Sequence, residues 1–455
     1  MREHDRQSVL LQGLGDRPVQ VSFNEPSATS NGGALLLGLV DRRLGLTEAL
    51  ASAIEDGRQS SKVRHEIVEL VRQRVHGLAC GYADCNDASR IGADPAMRLL
   101  LGLGFDDSPA SQPTLSRFET GRTPDDIVRL LDSFADSVLA RHRKRVRNRV
   151  RRITIDLDLT DDLVHGTQQL ALFNTHYGGW CYLPLLAFVS FDDEPEQYLI
   201  STILREGRTP SGSELVALLD FVLSCVRRHF PKTEILVRAD GGFTSGEVMS
   251  FLEEQGLKYL LGMPKNPVLE ERSEALMLKA RHRSAATGQT AALFNETEYA
   301  AKSWKGVRRR VVFKAEVTRL DGREPRENPR YVITNLTRRP KGVYDLYRQR
   351  GDAENRIKEL KCDLDLGRTS CTSADANQLR MLLTSAAYAL LQELRLHAAR
   401  LLRERPTAAS LRLRLLKIGG RVIRSVRRVV VQLAQSHPWK DDWLKLAHAL
   451  SASSA

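Results

Sequence analysis

The spacing of apolar residues changes abruptly near residue 150, and this change restricts the possible folds more than any other feature of the chain. Before it, apolar positions recur three and four apart over 34–40, 67–75 and 127–134, the period of one helix face. After it, Ile153, Ile155 and Leu157 alternate with Thr154, Asp156 and Asp158, the period of a strand whose successive side chains point to opposite faces. A chain of 455 residues has room for two or three domains with buried cores. The sequence therefore predicts a polar arm over 1–30, an all-helical domain over 31–140, and a sheet-containing domain beginning with a basic run over 141–152.

Beyond that seam, 170–173 and 182–189 read as two further strands that complete a three-stranded meander. A helix over 212–229 carries Leu215, Leu218, Leu219 and Val222 on one side. A short strand over 235–239 ends at Asp240, and a helix over 244–255 and a strand over 259–263 follow. Three strands, helix, strand, helix, strand is the order of a ribonuclease-H-like fold. Its later strands should pair in parallel through right-handed crossovers. Residues 265–328 interrupt the plan with a helix near 269–281 and strands near 292–299 and 307–318, an inserted, mainly β lobe. A strand over 331–335 and a long helix over 341–363 resume the core, which thus comprises 141–264 and 329–376. Helices over 377–402 and 408–435 fill a basic C-terminal region, 377–455. The expected class is α/β: a ribonuclease-H-like core with an insertion, preceded and followed by helices.

Hydrophobic residues make up 42% of the chain and charged ones 27%, the mix of a soluble globular protein. The six cysteines show neither Cys-x-x-Cys pairs nor histidine partners at finger spacing, which argues against structural zinc. The first seven residues lack an apolar signal core, and no apolar run suits a membrane span, so a cytosolic protein is expected. Lys and Arg number 68 against 56 acidic residues, a formal charge of +12 that favours polyanionic partners. The positive charge clusters in 141–152 and again at Arg412, Arg414, Lys417, Arg421, Arg424, Arg427 and Arg428. Such blocks repel themselves unless counter-charge is near. A segment over 111–119, with a serine cap and a proline in its first turn, carries Thr114 and Arg117 on a polar face. It suits either a plain surface helix or one lying in a major groove.

Asp158 and Asp240 end two strands, and Glu354 lies within the 341–363 helix. Phosphoryl transfer on DNA uses two Mg²⁺ ions about 4 Å apart, and hard divalent cations prefer oxygen ligands. Asp156 shares a strand face with Asp158 and is the alternative first acid, as ligand or as support. Tyr347, Arg350, Glu354 and Lys361 are spaced to lie along one stripe of a continuous helix. Arg350 can fork onto phosphate oxygens, and Lys361 can act as a point charge. An ordinary solvated face with an Arg350–Glu354 pair fits the same spacing.

Tyr347-x2-Arg350-x3-Glu354-x6-Lys361 resembles the Tyr-Arg-Glu-Lys signature of bacterial insertion-sequence transposases with an Asp/Asp/Glu site, in the broad group related to Tn5 and IS4. The run from Asp156 to Asp162, with His165, Gly166 and Gln168, resembles that group's first-acid motif, and Arg238-Ala-Asp240-Gly-Gly-Phe243 its second. Residues 81–87 and 111–119 extend the resemblance to the IS1380 family across most of the chain. Leu159 stands where an acidic residue is common, and Gly241 where serine is.

The resemblance implies metal-dependent cleavage at transposon ends followed by strand transfer. Asp158, Asp240 and Glu354 would then be catalytic residues and ligands for two Mg²⁺, for which Mn²⁺ could substitute. It further implies Tyr347, Arg350 and Lys361 on transposon-end DNA, and double-stranded terminal inverted repeats and target DNA as partners. A homodimer assembled on DNA and a bacterial, cytoplasmic, nucleoid-associated location are also expected. Trp304, between Ser303 and Lys305, is the candidate aromatic to stack an extruded base, with a core tryptophan as the alternative. Two other readings stay open: a nuclease that cuts without joining, and a DNA-binding protein that has lost catalysis.

Overall fold

The computed structural model describes residues 8–14, 16–104, 107–147 and 149–452. The first seven residues, read above as lacking a signal core, lie outside them. The architecture is mixed α/β, organised on a nine-stranded sheet. Numbering only its long strands, these are β1 (Arg152–Leu159), β2 (Leu185–Phe191), β3 (Tyr198–Ile203), β4 (Glu234–Ala239), β5 (Lys258–Met263), β6 (Ala291–Tyr299), β7 (Arg309–Thr318) and β8 (Arg330–Thr334). Their order across the sheet is β6-β7-β8-β5-β4-β1-β2-β3, with the short Arg326–Glu327 strand beside β7. As expected, β4 is parallel to both β1 and β5; the other neighbours are antiparallel.

The strand period decides what each face of the sheet meets. Ile153, Ile155, Ile235, Val237 and Leu261 belong to the main core, whose other members include Leu215, Leu219 and Val222 of the Gly212–His229 helix and Val248 and Leu252 of the Gly246–Glu254 helix. On the opposite face Leu236, Leu260, Val312 and Val332 pack with Val343 and Leu346 of the Pro340–Arg348 helix.

The first region is helical as expected, but it is not a body apart. The 29-residue Ala374–Leu402 helix is buried around nearly its whole circumference, as a helix enclosed by other elements must be. It touches the Ile67–Ala79 and Pro124–Val146 helices and β3, so both regions share one core. Part of the basic run over 141–152 is engaged in ion pairs. Arg141 pairs with Glu393 at 2.6 Å, Arg145 with Glu194 at 2.7 Å and Arg152 with Asp193 at 2.9 Å.

Five expectations need correction. The meander's third strand is Tyr198–Ile203, not 170–173: Leu170 has a left-handed φ of 66°, and Leu172–Asn174 joins a small side sheet with Gly179–Tyr182. Strand β3 escaped notice because five of its six residues are buried, on both faces, which erases alternation. The strands expected to form an inserted lobe instead extend the central sheet, since β7 hydrogen-bonds to β8 from Arg310↔Thr334 to Lys314↔Arg330.

The 341–363 helix is two helices, Pro340–Arg348 and Gly351–Asp363. In a continuous helix the Leu346 carbonyl would accept the Arg350 amide. Here that carbonyl accepts Arg238 Nη1 at 2.8 Å, and the Arg350 amide bonds to Tyr347 instead. The 408–435 segment is helical only to Leu416. Gly419 and Gly420 end that pattern, and β-branched residues then form an antiparallel ribbon, Gly420–Arg424 with Val429–Leu433. Finally, the 1–30 arm contains strands: Ser8–Leu11 pairs with Val19–Ser22, and Ala28–Thr29 joins the ribbon at Gly420 and Arg421.

Candidate active site

The parallel pairing of β1 and β4 matches Asp156 with Arg238 and Leu157 with Ala239. One residue further along each strand lie Asp158 and Asp240, so the register alone brings them side by side at the sheet's carboxyl edge. That edge is where open α/β sheets place their ligands. Asp240 leaves its strand and caps the next turn, accepting the Gly242 amide at 3.0 Å.

Glu354 arrives from the other side, in the first turn of Gly351–Asp363. That helix is held from behind by Glu359, which pairs with buried Arg395 and accepts the Tyr388 hydroxyl at 3.2 Å. At about 100° per residue, Glu354 faces well away from Glu359, and its side chain is 62% exposed.

Arg350 ties these elements together. Its Nη1 donates to Asp158 at 2.7 Å and its Nη2 to Glu354 at 2.8 Å. Burial raises the Asp158 carboxyl to about 6; Arg350 opposes that rise, and the nearby charges of Asp240 and Glu354 add to it. The three acids thus act electrostatically on one point, and a guanidinium stands there. Among the described residues no group of three or more His, Cys, Asp or Glu is placed to hold a metal ion. In this arrangement the expected cradle is bridged by Arg350 rather than closed around a cation site.

Asp156, the alternative first acid, is differently placed. It is fully buried, and Arg238 donates to it through Nε at 2.7 Å and Nη2 at 2.8 Å while Gln197 donates at 2.7 Å. Both carboxylate oxygens are engaged. Through Arg238 this acid acts on the Leu346 carbonyl and so on the break that points Arg350 toward Asp158. Arg238 was visible in the sequence only as part of a motif. Its period-2 relation to Asp240 and its alignment with Asp156 become meaningful only once the register is known.

A cavity of about 520 Å³ opens beside the acids, lined by Asp240, Tyr347, Arg350 and Glu354 together with the cations Lys265, Lys314, Arg330 and Arg348. Tyr347 lies over β5 so closely that a Cβ on Gly262 would sit 2.4 Å from its hydroxyl, and burial raises its phenol above the usual range. The basic wall formed by Lys314 and Arg330 was missed: Lys314 lies on a strand assigned to a separate lobe, and Arg330 immediately precedes the strand expected over 331–335. Lys361 bonds to Asp161 at 2.8 Å and lines a different cavity, with Asp162 and Arg368.

Trp304 is 4% exposed, packed edge-on to Tyr299 and beneath Arg309. Of the two readings left open for it, the core tryptophan is the one this burial fits. In the helical region, Gln112–Thr120 turns Thr114 and Arg117 into a cavity of about 720 Å³ shared with Arg58, Lys62, Arg64 and His65.

No helix among the described residues is long and apolar enough to cross a membrane. No curated protein matches the chain. The sequence matches the transposase DDE domain, group 1, over residues 11–455. Matched over nearly its whole length, the chain belongs to the family of DDE transposases.

Proposed function

We propose that this chain is a cut-and-paste DNA transposase with a ribonuclease-H-like core, in which Asp158, Asp240 and Glu354 hold two divalent cations, Mg²⁺ or Mn²⁺. The observation that carries the reading is the meeting of three acids from β1, β4 and the Gly351–Asp363 helix around Arg350, beside a basic cavity. The strand order β3-β2-β1-β4-β5 supports the core assignment. The donor set suits hard divalent cations, being entirely carboxylate. Asp158, raised by burial and further by its acidic neighbours, gains an ionised state when positive charge is supplied beside it.

When bound, such cations lower the charge barrier to breaking a phosphodiester and help position the reacting oxygens. The protein's own groups supply the remainder. Lys265, Lys314, Arg330 and Arg348 attract and hold the DNA backbone at the cavity wall, and Tyr347 orients it. Arg350 is suited to exchange its two carboxylates for phosphate oxygens, to which a guanidinium forks equally well. The break at Gln349–Arg350 gives it room to do so. Water breaks a P–O bond at the transposon end and frees a 3′-hydroxyl. That hydroxyl then attacks a target phosphodiester, forming one P–O bond as another breaks. Two ends must be held together, so a homodimer on DNA follows from the reaction.

The test uses a labelled duplex carrying the element's terminal repeat, a target plasmid and Mg²⁺ or Mn²⁺. The expected products are end cleavage and covalent joining to the plasmid. Cleavage without joining would reassign the chain as a nuclease, and no cleavage with either cation would overturn the proposal.

A further inference from the structure

The cavity of about 720 Å³ in the helical region has no part in the chemistry at the acids. The buried Ile67, Leu70 and Phe118 form its floor, and its walls are cationic: Arg58, Lys62, Arg64, His65, Arg117 and Arg122. Among the described residues no Asp, Glu, Asn or Gln lines it.

Some of this charge is already answered. Arg58 forks onto Asp56 through Nε and Nη2, each at 2.7 Å, and donates Nη1 to the His65 carbonyl at 2.9 Å, closing the loop between them. His65 bonds to Glu69 at 3.2 Å, and the Asp126 carboxylate, 3.7 Å from Arg122, is 2.6 Å from Arg129. The rest is not answered. The exposed side chains of Lys62, Arg64 and Arg117 make no hydrogen bond or ion pair among the described residues, and Arg122 Nη1 is buried without a hydrogen bond. Like charges gathered on one cavity repel one another unless an anion lies between them, and a buried donor without an acceptor adds to the cost.

The wall bearing Arg117 also presents a helix start. Ser111 precedes the Gln112–Thr120 helix, but its hydroxyl bonds to that of Thr114 at 3.1 Å and caps no backbone amide. Both residues line the cavity, so the positive end of this helix adds to the field there. The wall is fixed from behind. Glu119 pairs with Arg74 at 2.6 Å, both buried, and lies 3.6 Å from Arg380 of the Ala374–Leu402 helix. At about 100° per residue, anchoring Glu119 inward turns Arg117 outward.

We infer that this cavity is a phosphate-binding site, which holds the backbone of duplex DNA through Lys62, Arg64, Arg117 and Arg122. The inference rests on the proposed DNA substrate, but not on the three acids. The carboxylate and amide side chains that read cytosine and adenine are missing from the lining. The contact is therefore to backbone charge, which fixes position and orientation rather than sequence. Because Glu119 ties this wall to the helix shared by both regions, DNA held there keeps a fixed relation to the sheet.

Two variants of the full chain test this. Lys62→Gln, Arg64→Gln and Arg117→Gln together remove charge, whereas Thr114→Trp fills the cavity and leaves every charge in place. Affinity is read by fluorescence anisotropy for an end-repeat duplex and an unrelated duplex of equal length, across a range of salt. Adenosine monophosphate, which offers the same phosphate in free form, is titrated by calorimetry. The triple variant should lose about 10-fold or more on both duplexes at moderate salt, and its slope of log affinity against log salt should shrink by about 2 to 3, because each lost phosphate contact removes roughly 0.9. Its melting temperature should be unchanged, as should cleavage at saturating DNA. Thr114→Trp should weaken both duplexes with the salt slope reduced in the same direction; if it melts early, Ser108→Trp fills the cavity from the loop instead.

Unchanged duplex affinity and slope in the triple variant would overturn the inference. So would full affinity in a stably folded filled variant, which would reduce the cations to a long-range field. A loss confined to adenosine monophosphate would also overturn it and assign the cavity to a free nucleotide. If the unmodified chain bound no duplex, the transposase reading would fall first and this inference with it. If that chain bound and cut DNA while both variants matched it, this inference alone would fall.

Discussion

Two aspartate–arginine pairs lie one pleat apart on the same face of β1, and they are built differently. Asp156 and Arg238 are sealed: the acid is fully buried, the guanidinium nearly so, and Gln197 and the Leu346 carbonyl take up further polar capacity. Asp158 and Arg350 sit at the strand end with side chains 14% exposed, and the arginine is shared with Glu354 while Asp240 stands near. The first pair has nothing left to offer a ligand and works by fixing the break between two helices. The second pair lies at the open strand end, where on the proposed reading an incoming phosphate and cations replace its partners. Burial, not residue type, separates the sealed pair from the pair at the candidate site.

The largest expected effect comes from the open side. Asp240→Ala should lower end cleavage by about 10³-fold or more, the equivalent of several kcal/mol of charge stabilisation. Anisotropy should find DNA affinity nearly intact. If Asp158→Ala retained cleavage while Asp156→Asn, with its melting temperature preserved, abolished it, the contrast between the pairs would be reversed.

The sealed pair should break thermally instead. Arg238→Met leaves a buried charge without its partner, a loss of about 3–5 kcal/mol, seen as a fall in denaturation midpoint. The double variant Asp156→Leu with Arg238→Met removes both charges and should recover most of that stability, yet cleavage should stay low because nothing holds the Leu346 carbonyl. Recovery of cleavage along with stability would show that the pair has no positioning role.

Arg350→Ala should sharpen the comparison from the open side. With the bridging cation gone, Mn²⁺ binding to the DNA-free protein, followed by electron paramagnetic resonance, should tighten by about 10-fold, since an opposing charge a few ångströms away is removed. Weaker Mn²⁺ binding would mean that Arg350 assembles the acids rather than competing for them.

The smallest effect concerns Asp162, whose carboxyl is raised to about 7 by burial, against the opposing Thr369 hydrogen bond and Lys361 charge. A folded value above the unfolded one, near 4, gives stability that is complete below about pH 4 and lost as pH rises toward 7. Asp162→Asn should therefore melt higher than the unmodified chain at pH 8, with the gap closing by pH 4. A constant gap would assign the effect to something other than this titration.

Much of the site was legible because its elements announce themselves locally. Asp158 and Asp240 end segments whose alternation or apolar run marks a strand, and Glu354 lies in a segment rich in helix formers. What failed did so for related reasons. Strand β3 has no polar face to mark its period. Lys314 and Arg330 are ordinary basic residues until β7 is seen to pair with β8 beside the cavity. Trp304 stayed open between a stacking and a core role because spacing does not reveal that Tyr299 and Arg309 cover it.

By itself the sequence determined the alternation of elements, the parallel pairing of the middle strands, the identity of the candidate acids and the excess of positive charge. These depend on side-chain period and residue type, which are properties of neighbours along the chain. The tertiary structure alone decided that Asp156 is sealed and Asp158 open, that the Tyr347–Lys361 stripe is cut by a carbonyl taken up by Arg238, and that the first and last segments meet at one ribbon. Each of these depends on partners some tens to hundreds of residues away, and burial and hydrogen-bond competition between such partners exist only once the chain has closed on itself.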